Sequence, residues 1–145
     1  MEKNSAGLSE NSERVVDTIL SARYLQEGDP YLGQTQQSVA LINSRLGNAF
    51  PSVLAFQSKV GPVKWLSPAT DAVLAELGRT GTTRVLVVPV SFTSDHIETL
   101  QEIDIVYRDL AARSGIKEFH RVPSLNLYPK FIDALADRVL STNCF

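Results

Sequence analysis

The run Val85-Leu-Val-Val-Pro-Val90 constrains this chain more than any other segment. It is apolar and β-branched without a break, the pattern of a strand in a sheet buried on both faces, and such sheets are parallel with helices on either side. The neighbouring segments agree. Val15 to Leu20 and Val53-Leu-Ala-Phe-Gln57 read as further strands, and Phe119 to Val122 as a fourth. Between them lie helical stretches with start and stop signals. Asp29 caps a helix whose first position suits Pro30 and which stops at Gly47 after Leu46. Ser67-Pro68 opens a second helix with Asp71 in its first turn, ended by Gly78 or Gly81. A third covers about Asp95 to Arg113 and ends at Gly115, and a last one follows Pro129. Strands alternating with helices predict βαβ units: an α/β fold, a three-layer parallel sheet of about four strands with flanking helices.

The chain has 145 residues, which suits one domain. Residues 1–13 are polar and are expected to form a disordered leader, with a single α/β domain over 14–145. The leader reads as neither signal nor transit peptide. A net charge of -2 supplies no basic footprint for nucleic acid and no polybasic membrane anchor. No apolar stretch is long enough to span a bilayer. The single cysteine, Cys144, excludes an internal disulfide or a cysteine metal cage, so the expectation is a reduced, cytoplasmic protein. No glycine-rich phosphate loop occurs, and Gly61-Pro62 is a turn.

In parallel sheets ligands bind outside the carboxyl ends of the strands. Two unusual segments fall there: Gln57-Ser-Lys-Val-Gly-Pro-Val-Lys-Trp65, and Ser91-Phe-Thr-Ser-Asp-His-Ile-Glu98, which continues to Val106. On an α-helical wheel Ile97, Leu100, Ile103, Tyr107 and Leu110 share one face, while Glu98, Glu102 and Asp109 share the other. That pattern has a plain explanation: an amphipathic helix with its carboxylates in water. Against it, Ile105 and Val106 flank the acidic stripe, and Glu98 and Glu102 repel at their i, i+4 spacing unless a cation or proton is handled there. His96 and Glu98 do not face each other on a regular helix. They converge only if His96 lies in the turn before the helix, or if the first turns widen into a π-bulge. A neutral imidazole beside ionised carboxylates accepts a proton or ligates a metal, whereas a hydrogen-bonded helix-start histidine is the ordinary alternative. Trp65 either caps the core or stacks on a flat ligand. Lys59 and Lys64 suit ligand carboxylates or water, and His120 reads as structural or surface.

Gly28-Asp-Pro-Tyr31, Phe56-Gln-Ser-Lys-Val-Gly-Pro62 with Trp65-Leu66, Val88-Pro-Val-Ser-Phe92, Ser94-Asp-His-Ile-Glu-Thr-Leu100, Glu102-Ile-Asp104 and Leu125-Asn126 follow one another in an order that resembles the carboxyl-terminal half of ferrochelatases, from about Arg23 onward. The resemblance implies a lyase of heme and porphyrin biosynthesis that inserts ferrous iron into a porphyrin clamped and bent between two similar α/β halves. It implies Glu98 as the metal-site carboxylate, His96 as its neighbour in metal or proton handling, and Glu102 as the next member of an acidic row. It implies Ser58 and Trp65 as residues lining the porphyrin pocket. Iron and porphyrin are then substrates, with no tightly bound cofactor and no iron–sulfur cluster.

Three departures from the family pattern accompany the match. Ser21-Ala22 runs directly into Arg23, without the His-Gly-Leu-Pro type segment that carries a family histidine. Val106 stands where the acidic row often continues. The amino-terminal half, which forms the opposing pocket wall, is missing from the match. Three readings follow: an iron-inserting ferrochelatase, a half-length chelatase that rebuilds the pocket as a homodimer, and a non-catalytic fragment with weak porphyrin or metal binding. Loss of a covering half also predicts exposed apolar surface and self-association.

Overall fold

A computed structural model describes residues 12–18, 28–49, 51–57 and 65–142. Strand β1 covers Ser12–Thr18, helix α1 Tyr31–Arg45, β2 Ser52–Phe56, α2 Thr70–Arg79 and β3 Arg84–Pro89. A π-helix over Glu98–Tyr107 continues into α3, Arg108–Arg113, followed by β4, Glu118–Arg121, and α4, Pro129–Ser141. The four strands form one parallel sheet in the order β2-β1-β3-β4. The predicted α/β architecture is therefore the observed one, with helices between all strands. Strand β1 begins at Ser12, two residues inside the segment read as a leader, because Ser12 and Glu13 pair with Arg84 and Val85. Residues 1–11 lie outside the described part.

The register explains where the core lies. Val15 sits between Val53 of β2 and Val87 of β3, and Val85 pairs with Phe119 of β4. Paired residues of neighbouring strands point to the same face, since side chains alternate along each strand. Val15, Val85, Val87 and Phe119 therefore share a face, and on it they pack with Leu74 of α2, Ile103 and Tyr107 of the π-helix and Ala111 of α3. Each buried Val, Leu, Ile or Phe side chain in this cluster contributes about 1.5–3 kcal/mol of burial free energy.

Strand β3 is not equally buried on both faces, as its unbroken apolar run predicts: burial alternates, with Val85 and Val87 inside and Leu86 and Val88 only partly covered. The physical reason lies in the opposite layer. Helix α4 has no buried residue, and Ile132, Leu135, Val139 and Leu140 are exposed on it. The second sheet face instead carries an apolar groove of about 370 Å³ lined by Val16, Leu86, Val88, Phe92, Val122 and Leu125 among others.

Helix ends follow the local chemistry. Asp29 Oδ1 accepts the Tyr31 N–H at 2.8 Å, which satisfies a donor at the start of α1 as its cap position predicts. Gly47 takes φ 68° just beyond the end of that helix, and Gly115 takes φ 102° beyond α3. Of the two glycines offered as stops for α2, Gly81 (φ 93°) lies beyond the helix and Gly78 lies inside it. Gly78 serves packing instead: a Cβ there would stand 2.2 Å from the Ser114 carbonyl oxygen, so α2 can approach the end of α3 only with glycine at this position. Gly78→Ala is expected to lower stability by about 1–3 kcal/mol through this overpacking. Urea denaturation measures it, and an unchanged midpoint would refute the close approach.

Candidate functional site at the carboxyl edge

After β3 the chain turns back on itself, with Phe92 N–H donating to Pro89 O at 3.2 Å, and reaches the π-helix through Asp95, His96 and Ile97. Thr99, fully buried, organises this turn. Its hydroxyl accepts the His96 N–H at 3.0 Å and its proton is shared between His96 O at 3.0 Å and Asp95 Oδ1 at 3.2 Å. At the far end Arg108 N–H still donates to Ile103 O, five residues back. Such i→i+5 bonding widens each turn. Residues four apart then align: Thr99, Ile103, Tyr107 and Ala111 are buried, while Ile97 and Leu100 are 69% and 50% exposed. The apolar face drawn on an α-helical wheel is thus wrong for Ile97 and Leu100, because a 3.6-residue repeat does not apply to this helix.

Both conditions named for convergence of His96 and Glu98 are met. His96 lies in the turn, the helix after it is widened, and His96 Nδ1 stands 2.6 Å from Glu98 Oε2. The Glu98 carboxylate thus engages the Nδ1 edge of the ring and leaves Nε2 clear of it. Glu98 N–H also points at Nδ1, 3.2 Å away. The Phe92 ring packs edge-on to the imidazole with centroids 4.7 Å apart, fixing its tilt. Both partners remain about one-third exposed, so the pair is constrained yet open to a ligand.

Glu102 does not join that pair. Its Oε1 accepts the Tyr107 hydroxyl at 2.8 Å, and Gln57 Nε2 stands 3.5 Å from Oε2. It lines a cleft of about 390 Å³ with Phe56, Asp71, Val106 and Arg113. Gln57 is buried, and among the described residues its Oε1 has no hydrogen-bond partner. Asp109, grouped with Glu98 and Glu102 on the wheel, lies on the exposed surface and pairs with Arg113 at 3.0 Å. Among the described residues no three His, Cys, Asp or Glu side chains converge as a metal cage. Trp65 is half-buried on the connection between β2 and α2. Ser58, Lys59, Lys64, Gly61-Pro62, Cys144 and the junction after Ala22 lie outside the described residues. His120 is exposed on β4.

Sequence reasoning assigned no role to a network beside the pair. Arg121, its side chain 9% exposed, bridges Asp95 at 2.7 Å and Asp104 at 2.8 Å. Asn126 donates from Nδ2 to Asp95 Oδ2 and accepts the Asp95 N–H at Oδ1, both at 2.9 Å. The Asn126 hydrogen bond, helped by the Arg121 charge and the Thr99 hydroxyl and opposed by desolvation, holds the Asp95 carboxyl down to about 2. On the same edge, the hydroxyls of Thr18, Tyr31 and Ser91 hydrogen-bond to one another and tie the start of α1 to the ends of β1 and β3.

Comparison with known proteins gives a consistent result. The family model described as Ferrochelatase matches residues 16–143. The chain is 52% identical over 118 residues to a ferrochelatase of Nostoc sp. and 50% identical over 123 residues to one of Prochlorococcus marinus. Each alignment covers 81% of this chain but 30% and 32% of the relative, so the chain spans about a third of the curated relatives it matches. Among solved structures it is similar in fold, at 14% identity and a TM-score of 0.55, to a protein from Marinobacter aquaeolei described as a cobalamin (vitamin B12) biosynthesis CbiX protein. That alignment covers 89% of this chain and 94% of the other. No helix among the described residues is long and apolar enough to cross a membrane.

The lowered Asp95 value has a pH consequence. A carboxylate depressed in the folded state contributes stability that is complete above its unfolded value near pH 4 and is lost as pH falls through its folded value of about 2. Asn126→Ala is expected to raise the Asp95 value and flatten this acid limb. Thermal unfolding followed from about pH 5 to pH 2 checks it; an identical limb in both proteins would contradict the assignment.

Proposed function

Because the chain belongs to the ferrochelatase family, we propose that its carboxyl edge handles metal and protons during insertion of ferrous iron into a porphyrin, a reaction of heme biosynthesis. The observation that carries this reading is the 2.6 Å contact of His96 with Glu98 at the start of a π-helix. Insertion exchanges one divalent cation for the protons of two pyrrole N–H groups. It therefore needs a group that accepts protons at the macrocycle and an anionic group that meets the metal. In the proposed role Nε2 of His96, the ring nitrogen not engaged by Glu98, takes the two pyrrole protons in turn and passes each to water at its partly exposed edge. The Glu98 carboxylate, beside the imidazole, stabilises the resulting positive charge and is the anionic group that meets the incoming metal. Glu102, steadied by Tyr107, is the next carboxylate along the helix and relays metal or protons between the pair and the cleft it lines. Trp65 and Ser58 line the macrocycle. The porphyrin nitrogens supply the metal ligands that the two protein donors lack.

A second reading is favoured by the fold comparison. The CbiX protein is covered over 94% of its length, so an α/β unit of this size also occurs as nearly the whole of another chain. In that reading two copies of this chain form the two walls of one pocket, and light scattering would report a dimer.

The test is zinc insertion into a free-base porphyrin, followed by the change in porphyrin fluorescence, together with quenching of the single tryptophan, Trp65. Glu98→Gln and His96→Ala are expected to lower turnover about 10²–10⁴-fold while leaving Trp65 quenching intact. Turnover no faster than the uncatalysed reaction would reject the enzymatic reading. Turnover indifferent to Glu98→Gln would reject the site.

A further inference from the structure

We infer that Arg121, acting with Asn126, is the positioning group that sets the geometry of the His96–Glu98 pair. This rests on the reading of that pair as the metal- and proton-handling site, and concerns residues to which that reading gives no role.

Runs of i→i+5 bonding are rare, so a widened helix over Glu98–Tyr107 needs restraints outside its own backbone. Arg121 supplies two. It lies on β4 opposite Val87 of β3, and so faces the same side of the sheet as the core beneath the π-helix. Its guanidinium reaches both ends of the segment that matters. Nη1 donates to Asp95 Oδ1 at 2.7 Å, just before His96. Nε and Nη2 donate to Asp104 Oδ1 and Oδ2 at 2.9 and 2.8 Å, inside the π-helix. A planar fork bonded to one carboxylate in bidentate fashion and to a second through its remaining nitrogen fixes their separation and orientation together. The strand that carries it is held in the sheet by β3, so these restraints refer the helix to the sheet.

Asn126 completes the clamp. Its backbone N–H donates to Thr93 O at 2.8 Å, and its side chain holds both the N–H and the carboxylate of Asp95. The residue adopts φ 47°, a left-handed conformation that asparagine tolerates better than other non-glycine residues. Asp95 is thereby fixed from β4 and from the loop after it. Thr99, bonded to Asp95 and to both backbone groups of His96, passes that restraint on to the histidine. Lysine at position 121 keeps the charge but cannot make the fork.

The test is the NMR spectrum of the His96 ring in the full chain, assigned by comparison with His96→Ala. The Phe92 ring and the close Glu98 carboxylate displace the wild-type resonances from those of an unrestrained histidine. Arg121→Lys and Asn126→Ala are expected to move them toward unrestrained values while amide signals of β1 and α2 stay in place. The milder Asn126→Ala keeps the measurement decisive if Arg121→Lys does not fold. Unmoved His96 resonances in a folded variant would overturn the inference. Zn²⁺ titration of the same samples separates this inference from the functional reading. Zn²⁺ affinity is expected to fall about 10–100-fold in Arg121→Lys, as for other groups that orient a metal ligand. A wild-type His96 indifferent to Zn²⁺, yet displaced by Arg121→Lys, would contradict the metal reading and leave the positioning role standing.

Discussion

The widened hydrogen bonding of Glu98–Tyr107 is the constraint on which the rest of the carboxyl edge depends. In an α-helix, His96 and Glu98 would point apart and the inward stripe would run through Leu100. In the π-helix the inward positions become Thr99, Ile103 and Tyr107. That shift has three consequences. It puts a hydroxyl, Thr99, where it organises the preceding turn. It lets Tyr107 bond to Glu102 from the buried side. It also leaves Glu98 free to meet His96 across the turn. The widened helix lies at the candidate site, in keeping with the concentration of such helices at functional positions.

Much of the fold was legible because it rests on local signals. The strand run at Val85, the cap at Asp29 and the glycines at 47 and 115 each specify structure within a few residues of themselves. Gly78 was misjudged for the opposite reason: its role depends on Ser114, which is distant in sequence and adjacent in space. The same limit applies to the site. His96 and Glu98 were identifiable from residue type and position, and a π-bulge was one of two ways they could meet. The helical wheel failed for Ile97 and Leu100 because it presumes the very repeat that the π-helix abandons. Arg121 was illegible, since nothing in the β4 sequence marks an arginine as aimed at two carboxylates on another element. Its partners Asp95 and Asp104, and Asn126 that holds Asp95, all lie within the segments that resemble the family, yet their roles depend on contacts between elements distant in sequence.

The opposite layer is built differently. The groove over Leu86 and Val88 and the exposed face of α4 leave apolar surface of the kind that favours association. The chain matches about a third of its curated relatives' length while reproducing most of a CbiX fold. One wall of a two-walled pocket is consistent with both facts, and the chemistry proposed for His96 and Glu98 would need a macrocycle held against that wall.

A crystal structure of the chain with a free-base porphyrin bound tests this most directly. The account predicts the macrocycle at the carboxyl edge of the sheet, with a pyrrole nitrogen within hydrogen-bond reach of His96 and Glu98 beside it. A porphyrin seated instead in the apolar groove over Leu86 and Val88, with His96 facing solvent, would contradict it.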